Sequence, residues 1–237
     1  MELILDKISK NFGSKPVLNN VSFRFQKGKI YGLLGRNGAG KTTLFNCLSQ
    51  EIVPDSGNAA LIKDSGETVP LIQDDIGYVF STPILPDFLT GFEFIKFFMD
   101  VHKPHIQSDK TIDDYFDLVK LSKDDSHRLI KGYSHGMKNK IQMLCFIIAR
   151  PPVILLDEPL TSFDVVVALE IKELIKSIRK DHIIIFSTHI LQLATDLCDD
   201  LVILNDGKLE QVDLTLLQSP DFEKRIIELM KDVDAHA

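Results

Sequence analysis

Residues 35–42 read Gly-Arg-Asn-Gly-Ala-Gly-Lys-Thr and fit the pattern G-x-x-x-x-G-K-[ST]. A nearly continuous apolar run at residues 29–34 precedes them, which is typical of a buried strand, and a helical pattern follows at residues 41–50. Glycines let the backbone curl so that successive N–H groups converge on phosphate oxygens, and the positive end of a helix adds to that attraction. The segment therefore predicts a phosphate-binding loop, or P-loop.

The side chains of this loop are expected to have different roles in binding a nucleoside triphosphate. Lys41 is expected to reach the β- and γ-phosphates, and the hydroxyl of Thr42 is expected to ligate Mg²⁺. The residues expected to contact the nucleotide are Arg36, Asn37, Gly38, Ala39, Gly40, Lys41, Thr42 and Thr43. A glycine-rich turn without a ligand is the alternative, and the complete motif disfavours it.

Two adjacent carboxylates, Asp157 and Glu158, follow a second apolar run at residues 153–156. Such a run predicts a buried strand that brings Asp157 to the carboxyl edge of a sheet, where phosphate and metal bind. We expect Asp157 to hold Mg²⁺ directly or through a water molecule, and Glu158 to polarise the attacking water. An acidic pair in an ordinary loop is the alternative, which the presence of the phosphate-loop motif in the same chain makes unfavourable.

A third apolar run, at residues 183–186, ends in Ser187, Thr188 and His189. If this strand lies beside the one that carries Asp157, His189 lies near the γ-phosphate and can act as a polar sensor of it. A single histidine is more often structural than ligand-binding, so both interpretations of His189 stay open from the residues alone.

The elements that position these side chains alternate along the chain. Further strand patterns occur at residues 3–8, 21–25, 76–80 and 201–204, and further helical patterns at residues 141–150 and 165–180. This alternation predicts an α/β fold with a mainly parallel sheet and helices on its faces. The segment Asn205-Asp206-Gly207, which lies between apolar residues, predicts a hairpin turn.

A segment at residues 83–149 interrupts this alternation, with helical patterns at residues 92–101 and 112–121 and no convincing strand. We interpret residues 1–237 as a single domain. Its parts are an α/β core at residues 1–82 and 150–212, an inserted helical subdomain at residues 83–149, and a C-terminal helix and tail at residues 213–237.

Composition narrows the class of protein. Hydrophobic residues make up 44% of the 237 residues, enough for one sizeable core, and the net charge of -7 argues against nucleic-acid binding. No stretch approaches the roughly 18 continuous apolar residues that a membrane-spanning helix needs, and the first residues lack a signal-peptide pattern. Three scattered cysteines indicate neither a disulfide framework nor a zinc site, and Cys145 is expected in the core. These features predict a cytoplasmic protein that does not insert into the membrane directly.

The order of the motifs resembles the ATPase domain of ABC (ATP-binding cassette) transporters. Between the phosphate loop and the strand carrying Asp157 lies Tyr-Ser-His-Gly-Met at residues 133–137, hereafter the signature pentad, which corresponds to the family's LSGGQ segment. The resemblance extends from residue 3 to about residue 212. It implies a P-loop NTPase core with an antiparallel β subdomain and a helical subdomain, and an ATPase that uses ATP and Mg²⁺.

The resemblance implies a head-to-tail dimer that encloses two ATP molecules. In the family the signature segment covers the nucleotide of the opposite subunit, and the corresponding residues here are Ser134, His135, Gly136 and Met137. Ser134 would cap a helix whose N–H groups point at that γ-phosphate. Asp164 matches the loop that runs along the dimer interface, and capping the helix after it is a compatible alternative role.

The resemblance also assigns the adenine pocket. Phe12 occupies the place of the aromatic residue that stacks on adenine, and Val17 lines the same pocket. A core position for Phe12 is the alternative.

The sequence departs from the family pattern after the strand at residues 76–79. The family usually has Pro-Gln there, with the glutamine near Mg²⁺ and the attacking water, whereas this chain has Phe80 and Ser81. The shorter Ser81 would reach the metal only through a bridging water molecule. Either hydrolysis is slower or the coupling to transport differs.

The signature pentad departs as well. Tyr133, His135 and Met137 replace the usual Leu, Gly and Gln, while the serine and the second glycine are kept. This Tyr-Ser-x-Gly-Met form resembles the branch of the family that serves drug, peptide and antibiotic exporters with a separate membrane chain.

The resemblance implies partners that the chain itself does not contain. They are a separate transmembrane permease subunit and a second ATPase subunit, which completes a homodimer or a heterodimer at the inner face of the cell membrane. The pocket for the transported substrate then belongs to the permease. A non-transport ABC ATPase acting on DNA or ribosomes is one alternative class, disfavoured because the sequence has no long coiled coil and no basic face. A P-loop kinase or GTPase is another, disfavoured because it has no use for the signature pentad.

The segment at residues 83–101 is expected to be the dock for the permease. It is rich in aromatic residues, more than one helix face needs for its own core: Phe88, Phe92, Phe94, Phe97 and Phe98. The alternative is that all of them pack inside the helical subdomain.

Overall fold

The computed structural model describes residues 1–80, 82–103, 106, 109–159, 165–212, 224 and 226. The strands in this part of the chain are β1 (Glu2–Phe12), β2 (Lys15–Gln26), β3 (Ile30–Leu34), β4 (Ser56–Ile62), β5 (Thr68–Pro70), β6 (Ile76–Val79), β7 (Val153–Asp157), β8 (Ile183–Thr188), β9 (Asp200–Asn205) and β10 (Lys208–Val212). The helices are α1 (Lys41–Leu48), α2 (Gly91–His102), α3 (Ile112–Leu118), α4 (Lys123–Ser126), α5 (His135–Ala149), α6 (Val165–Ile178) and α7 (Leu191–Leu197).

The described residues divide into two units. The first is drawn from Met1–Tyr78, Pro152–Pro159 and Arg179–Ala237, and the second from Val79–Pro151 and Leu160–Ile178. The division departs from the sequence-based one in a single helix, because α6 groups with the helical unit rather than with residues 150–212. Its contacts explain this, since Leu174 of α6 packs on the helical core and Glu170 pairs with Lys140 of α5 at 2.7 Å.

Six strands form one sheet, in the order β10-β9-β3-β8-β7-β6. β3 pairs in parallel with both β8 and β9, and β7 pairs in parallel with β8. Every residue of β3, β7 and β8 is buried. A strand that is covered on both faces has no solvent side, which explains why these sequences are almost continuously apolar. The predicted α/β fold with a mainly parallel sheet is confirmed.

The hairpin predicted at Asn205-Asp206-Gly207 is also confirmed. β9 and β10 pair antiparallel, with Asn205 opposite Lys208. The two residues between them have φ of +48° at Asp206 and +68° at Gly207. Both central residues of a tight hairpin turn of this hand need positive φ, which aspartate tolerates and glycine adopts freely.

A second, antiparallel sheet has the order β2-β1-β4-β5. Its buried side chains, among them Leu3, Val21 and Phe25, join Leu33 of β3 and Phe45 of α1 in one hydrophobic cluster. The sequence patterns located β1 and β2 but neither β4 nor β5. In β4 only Leu61 is fully buried, so its sequence shows no alternation of apolar and polar residues from which a strand could be predicted.

The second unit is helical. α2, α3, α4 and α5 each begin after a Thr or Ser whose side chain accepts a hydrogen bond from a backbone N–H in the first turn: Thr90, Thr111, Ser122 and Ser134. α3 ends at Leu118, three residues before the predicted end, because Lys120 adopts a left-handed conformation with φ of +52°. No helix among the described residues is long and apolar enough to cross a lipid bilayer.

Candidate nucleotide-binding site

The phosphate loop lies in the first unit, where it joins the end of β3 to the start of α1. Gly38 and Gly40 have φ of +83° and +103°, which bulkier residues rarely adopt. A Cβ atom at Gly40 would also lie 2.9 Å from Cγ1 of Val17. The backbone therefore curls as the motif predicts, and Val17 of β2 packs directly on the loop.

Lys41 is buried at the first position of α1 and makes its hydrogen bonds within the loop. Its Nζ donates to the carbonyl oxygens of Gly35 at 2.7 Å and of Arg36 at 3.3 Å. Burial lowers the pKa of the Lys41 ammonium, and the carboxylates of Glu158 and Asp157 oppose that change. A phosphate oxygen on the loop could therefore replace these two carbonyl oxygens as the acceptor of the Lys41 ammonium.

Thr42 and Asp157 meet at the carboxyl edge of the six-stranded sheet. The Thr42 hydroxyl donates to Oδ2 of Asp157 at 2.9 Å, and Asp157 is 5% exposed. A hydroxyl and a carboxylate are hard oxygen ligands of the kind that Mg²⁺ prefers, and this ion usually takes only one or two protein ligands beside phosphate and water. The pair therefore fits a magnesium ion whose remaining ligands come from the nucleotide.

Glu158 follows β7 in a strained conformation. Its φ is +51°, a left-handed value that costs a residue with a side chain roughly 1 kcal/mol. Its backbone N–H donates to Oγ of Ser187 at 3.1 Å, and the Ser187 hydroxyl donates to Oδ1 of Asp157 at 2.5 Å. Ser187 therefore contacts both consecutive residues, through the carboxylate of Asp157 and the backbone N–H of Glu158.

His189 lies beside Glu158. Its Nδ1 is 3.0 Å from Oε1 of Glu158, and its side chain is 47% exposed. The two residues come together because β8 pairs directly with β7, as the sequence analysis expected, with Ser187 opposite Asp157. The purely structural alternative for His189 is disfavoured by this contact with the candidate catalytic carboxylate.

The loop also borders a cavity of about 370 Å³ within the first unit. Its walls are the start of β2, the phosphate loop and the β9–β10 turn: Lys15, Pro16, Val17, Asn19, Arg36, Asn37, Gly38, Ala39, Asn205, Asp206 and Gly207. The backbone N–H of Asn19 donates to the carbonyl of Gly207 at 2.8 Å and ties two of these walls together. The cavity therefore adjoins the loop on which the phosphates of a nucleotide are expected to lie.

Phe12 ends β1 and is 50% exposed, so the alternative that it is a core residue is wrong. The ammonium of Lys10 lies 5.8 Å from the centre of its ring, on one face. Phe12 is not among the residues that line the 370 Å³ cavity, whereas Val17 is. A bound adenine would have to extend beyond that cavity to stack on the ring.

The signature pentad lies in the second unit at the start of α5. Ser134 caps the helix by accepting a hydrogen bond from the backbone N–H of Met137 at 3.2 Å, and Gly136 is buried. Tyr133 is anchored, because its hydroxyl donates to the carbonyl of Asp125 at 2.6 Å and its ring is buried. The pentad thus begins a capped helix, whose N-terminus is the positive end of the helix dipole.

Two of the predicted site residues, Ser81 and Asp164, lie outside the described residues. Sequence reasoning in turn gave no role to Ser187 or to the β9–β10 turn. Ser187 could have been noticed because it ends an apolar run two residues before His189 in the sequence. Only the register of β7 and β8 shows that it lies opposite Asp157.

Comparison with known proteins agrees with this geometry. Residues 18–161, more than half of the chain, match the family described as ABC transporter. The uncharacterised ABC transporter ATP-binding protein YdbJ of Bacillus subtilis is 31% identical over 96% of this chain and 74% of its own length. The bacitracin transport ATP-binding protein BcrA of Enterococcus faecalis is 28% identical over 92% of this chain and 71% of its own length. The spermidine/putrescine import ATP-binding protein PotA of Legionella pneumophila is 32% identical over 87% of this chain and 57% of its own length.

Solved structures share the fold. The ATP-binding subunit of an ABC transporter superposes with a TM-score of 0.80 at 22% identity, covering 98% of this chain and 100% of the other. A dimeric ATP-binding cassette in a post-hydrolysis state, bound to ADP and Pi, superposes with a TM-score of 0.72 at 19% identity, covering 89% and 99%. The chain therefore belongs to the ABC transporter family, in which it is an ATP-binding domain and an ATPase.

Proposed function

We propose that the chain is the motor subunit of an ABC exporter, which hydrolyses MgATP in a dimer and drives a separate transmembrane permease. The observation that carries the proposal is that contacts of 2.5–3.1 Å through Ser187 link Thr42, Asp157 and Glu158 at one edge of the sheet. Lys41 precedes Thr42 directly at the start of α1 and donates to the carbonyl oxygens of the phosphate loop. An ATPase needs a phosphate clamp, metal ligands and a base within one site, and these residue types supply all three.

Each side chain has a defined task in the proposed reaction. Lys41 exchanges its carbonyl partners in the loop for phosphate oxygens, where its charge counts strongly because the site is partly desolvated. Thr42 and Asp157 hold the Mg²⁺, which when bound neutralises charge on the phosphate oxygens. Glu158 accepts a proton from the attacking water, and His189, at 3.0 Å from Oε1, fixes the direction of that carboxylate.

The dimer supplies the remaining contacts. Ser134, His135, Gly136 and Met137 would cover the γ-phosphate held by the opposite subunit, since the N-terminus of α5 is the positive end of the helix dipole and attracts an anion. Asp164 would lie along the interface. The dimeric ATP-binding cassette that shares this fold supports a two-subunit assembly. The partner subunit is an identical chain or a related one.

The proposed permease rests on membership of the family, and the proposed direction of transport rests on the signature pentad. Family members named for bacitracin transport and for spermidine/putrescine import are both similar to this chain, at 28% and 32% identity. We assign export because the Tyr-Ser-x-Gly-Met form of the signature pentad resembles the branch with drug, peptide and antibiotic exporters. In this assignment the chain lies on the cytoplasmic face of the membrane and is held there by the permease.

Ser81 has a proposed part in this reaction as well. It stands where the family usually has glutamine, and its short side chain would reach the Mg²⁺ through a bridging water molecule. This substitution would either slow hydrolysis or change its coupling to transport.

The proposed activity makes a direct test possible. The purified chain is expected to hydrolyse ATP in the presence of MgCl₂. Removal of the metal with EDTA is expected to abolish hydrolysis, because Thr42 and Asp157 carry no positive charge that could neutralise the phosphate in its place. Phosphate release at saturating ATP, with and without EDTA, measures this. Equal rates in both conditions would contradict a metal-assisted mechanism.

The proposed dock for the permease can be narrowed to part of the segment at residues 83–101. Phe94 and Phe98 pack on the core of the helical unit, and Phe92 stacks on His127 with ring centres 5.0 Å apart. Phe88 and Phe97 are 79% and 62% exposed. The alternative that all five aromatic residues pack inside is therefore wrong, and the exposed pair gives the dock its apolar surface.

Phe97→Asp is expected to break the association with the permease and to leave the isolated subunit folded, because the ring contacts mainly solvent. Copurification from membranes is expected to fall by about tenfold or more, the size of one lost apolar anchor of an interface. Leu169→Asp is the matched control, since Leu169 is a similarly exposed residue on α6, at 55%. If the Phe97 variant copurifies as well as the control, the dock lies elsewhere.

A further inference from the structure

Ser187 is a fully buried serine at the end of β8 that makes two hydrogen bonds with one hydroxyl group. It is 0% exposed. Its Oγ donates to Oδ1 of Asp157 at 2.5 Å and accepts from the backbone N–H of Glu158 at 3.1 Å. Both partners belong to the adjacent strand end, so the hydroxyl bridges two consecutive residues that have different tasks in the proposed reaction.

The bond between the Ser187 hydroxyl and the N–H of Glu158 restrains the backbone of Glu158. With φ of +51°, this residue stays in a left-handed conformation that a glutamate adopts only where surrounding contacts hold it. Without the acceptor at Ser187, the amide of Glu158 would lose this hydrogen bond, and other values of φ would compete. Rotation about this φ would swing the Glu158 carboxylate away from the place where it meets His189.

The second bond restrains Asp157. This carboxylate receives the Ser187 hydroxyl on Oδ1 and the Thr42 hydroxyl on Oδ2, at 2.9 Å. The two donors together fix the plane of the carboxylate, and the orientation of a metal ligand depends on such neighbours. The path from Thr42 through Asp157 and Ser187 to the Glu158 backbone is continuous and lies wholly within the first unit.

We propose that Ser187 is a positioning residue that fixes the backbone of Glu158 relative to the carboxylate of the proposed metal ligand Asp157. The inference rests on the proposed function, in which Glu158 receives the proton of the attacking water. Ser187 touches neither phosphate nor water in this proposal. It acts through Glu158 by fixing the backbone from which that carboxylate projects.

The test begins with Ser187→Ala and Ser187→Thr. The alanine variant loses both bonds, and its kcat for ATP is expected to fall by about tenfold while KM stays within about twofold, the pattern of a lost transition-state contact. The threonine variant keeps a hydroxyl at the same atom, and its kcat is expected to recover to within about threefold of wild type. A kcat of the alanine variant equal to that of wild type would overturn the inference.

A second measurement separates positioning from a general loss of stability. Ser126→Ala is the matched control, because Ser126 is also a buried serine (1% exposed) and its hydroxyl donates to the carbonyl of Lys123 at 2.8 Å within α4. The control is expected to lower the melting temperature without changing kcat. Titration with a fluorescent ATP analogue, in MgCl₂ and in EDTA, is expected to give affinities within about twofold of wild type for Ser187→Ala. A matching tenfold loss of kcat in the control would overturn the inference.

A double variant that carries both Glu158→Gln and Ser187→Ala distinguishes a failure of the Ser187 inference from a failure of the proposed function. If Ser187 acts through Glu158, adding Ser187→Ala to Glu158→Gln is expected to lower the residual hydrolysis by less than about twofold, since effects of residues that act as one unit do not add. A full further tenfold loss would show an independent, structural effect and would overturn the inference while leaving Glu158 as the base. Unimpaired hydrolysis by Glu158→Gln alone would instead contradict the proposed function.

Discussion

Glu158→Gln is expected to lower the kcat for ATP by about a hundredfold or more, the usual contribution of a positioned general base. The amide keeps the shape of the carboxylate and its contact with His189 but cannot accept a proton from water. Binding of ATP is expected to stay within about twofold of wild type, because Glu158 contributes little to the ground state. ATP would then persist in the site, so the variant is expected to accumulate as a dimer.

Steady-state phosphate release, nucleotide titration and size-exclusion chromatography in MgATP measure these three effects. Glu210→Gln is the matched control, since Glu210 is an exposed glutamate on β10 of the same unit. Its kcat and its elution volume should equal those of wild type. Hydrolysis by Glu158→Gln within about threefold of wild type would exclude Glu158 as the base.

Lys41→Ala is expected to weaken ATP binding by about tenfold to a hundredfold, which corresponds to the roughly 1.5–3 kcal/mol of a hydrogen bond to a charged group. The expectation is large because Lys41 is buried, at 7% exposure, and its charge faces little competing solvent. The substitution also leaves the carbonyls of Gly35 and Arg36 without their ammonium donor.

Equilibrium titration with a fluorescent ATP analogue measures the affinity, and Lys63→Ala is the matched control. Lys63 is an exposed lysine of the same unit whose ammonium pairs with Glu67 at 3.1 Å, with 52% of its side chain in solvent. Its removal should leave the affinity unchanged. Equal affinities for the Lys41 variant and wild type would contradict the assignment of the phosphate loop.

The sequence was sufficient for the parts of the site that lie next to each other in the chain. The phosphate loop and the Asp157-Glu158 pair each carry their chemistry within a few residues, and the apolar runs before them predict β3 and β7 directly. The pairing of β7 with β8 was expected, but its register was not, because no pattern in the sequence relates residues that lie 30 positions apart, such as Asp157 and Ser187. The bridging role of Ser187 is therefore visible only in the fold.

Elements with little burial were the hardest to predict. β4 and β5 lie at the exposed end of the antiparallel sheet, where apolar and polar side chains do not alternate regularly along the strand. The aromatic residues of α2 were equally hard to assign, since Phe97 and Phe98 are neighbours in sequence. Only the packing shows that Phe97 is exposed and that Phe98 is half-buried against the helical core. The placement of α6 depends on tertiary contacts such as the pair of Glu170 with Lys140.

The cavity beside the phosphate loop has a consequence for the cooperativity of unfolding. Its three walls come from residues near positions 17, 37 and 206, which are remote in sequence and belong to the antiparallel sheet, to the loop and to the edge hairpin of the parallel sheet. A nucleotide that contacts all three acts as a non-covalent cross-link, and at a hundred times its dissociation constant it adds about 2.7 kcal/mol to the free energy of unfolding. Because β10 is an edge strand of its sheet, amide exchange in the β9–β10 hairpin is expected to slow when a nucleotide occupies the site.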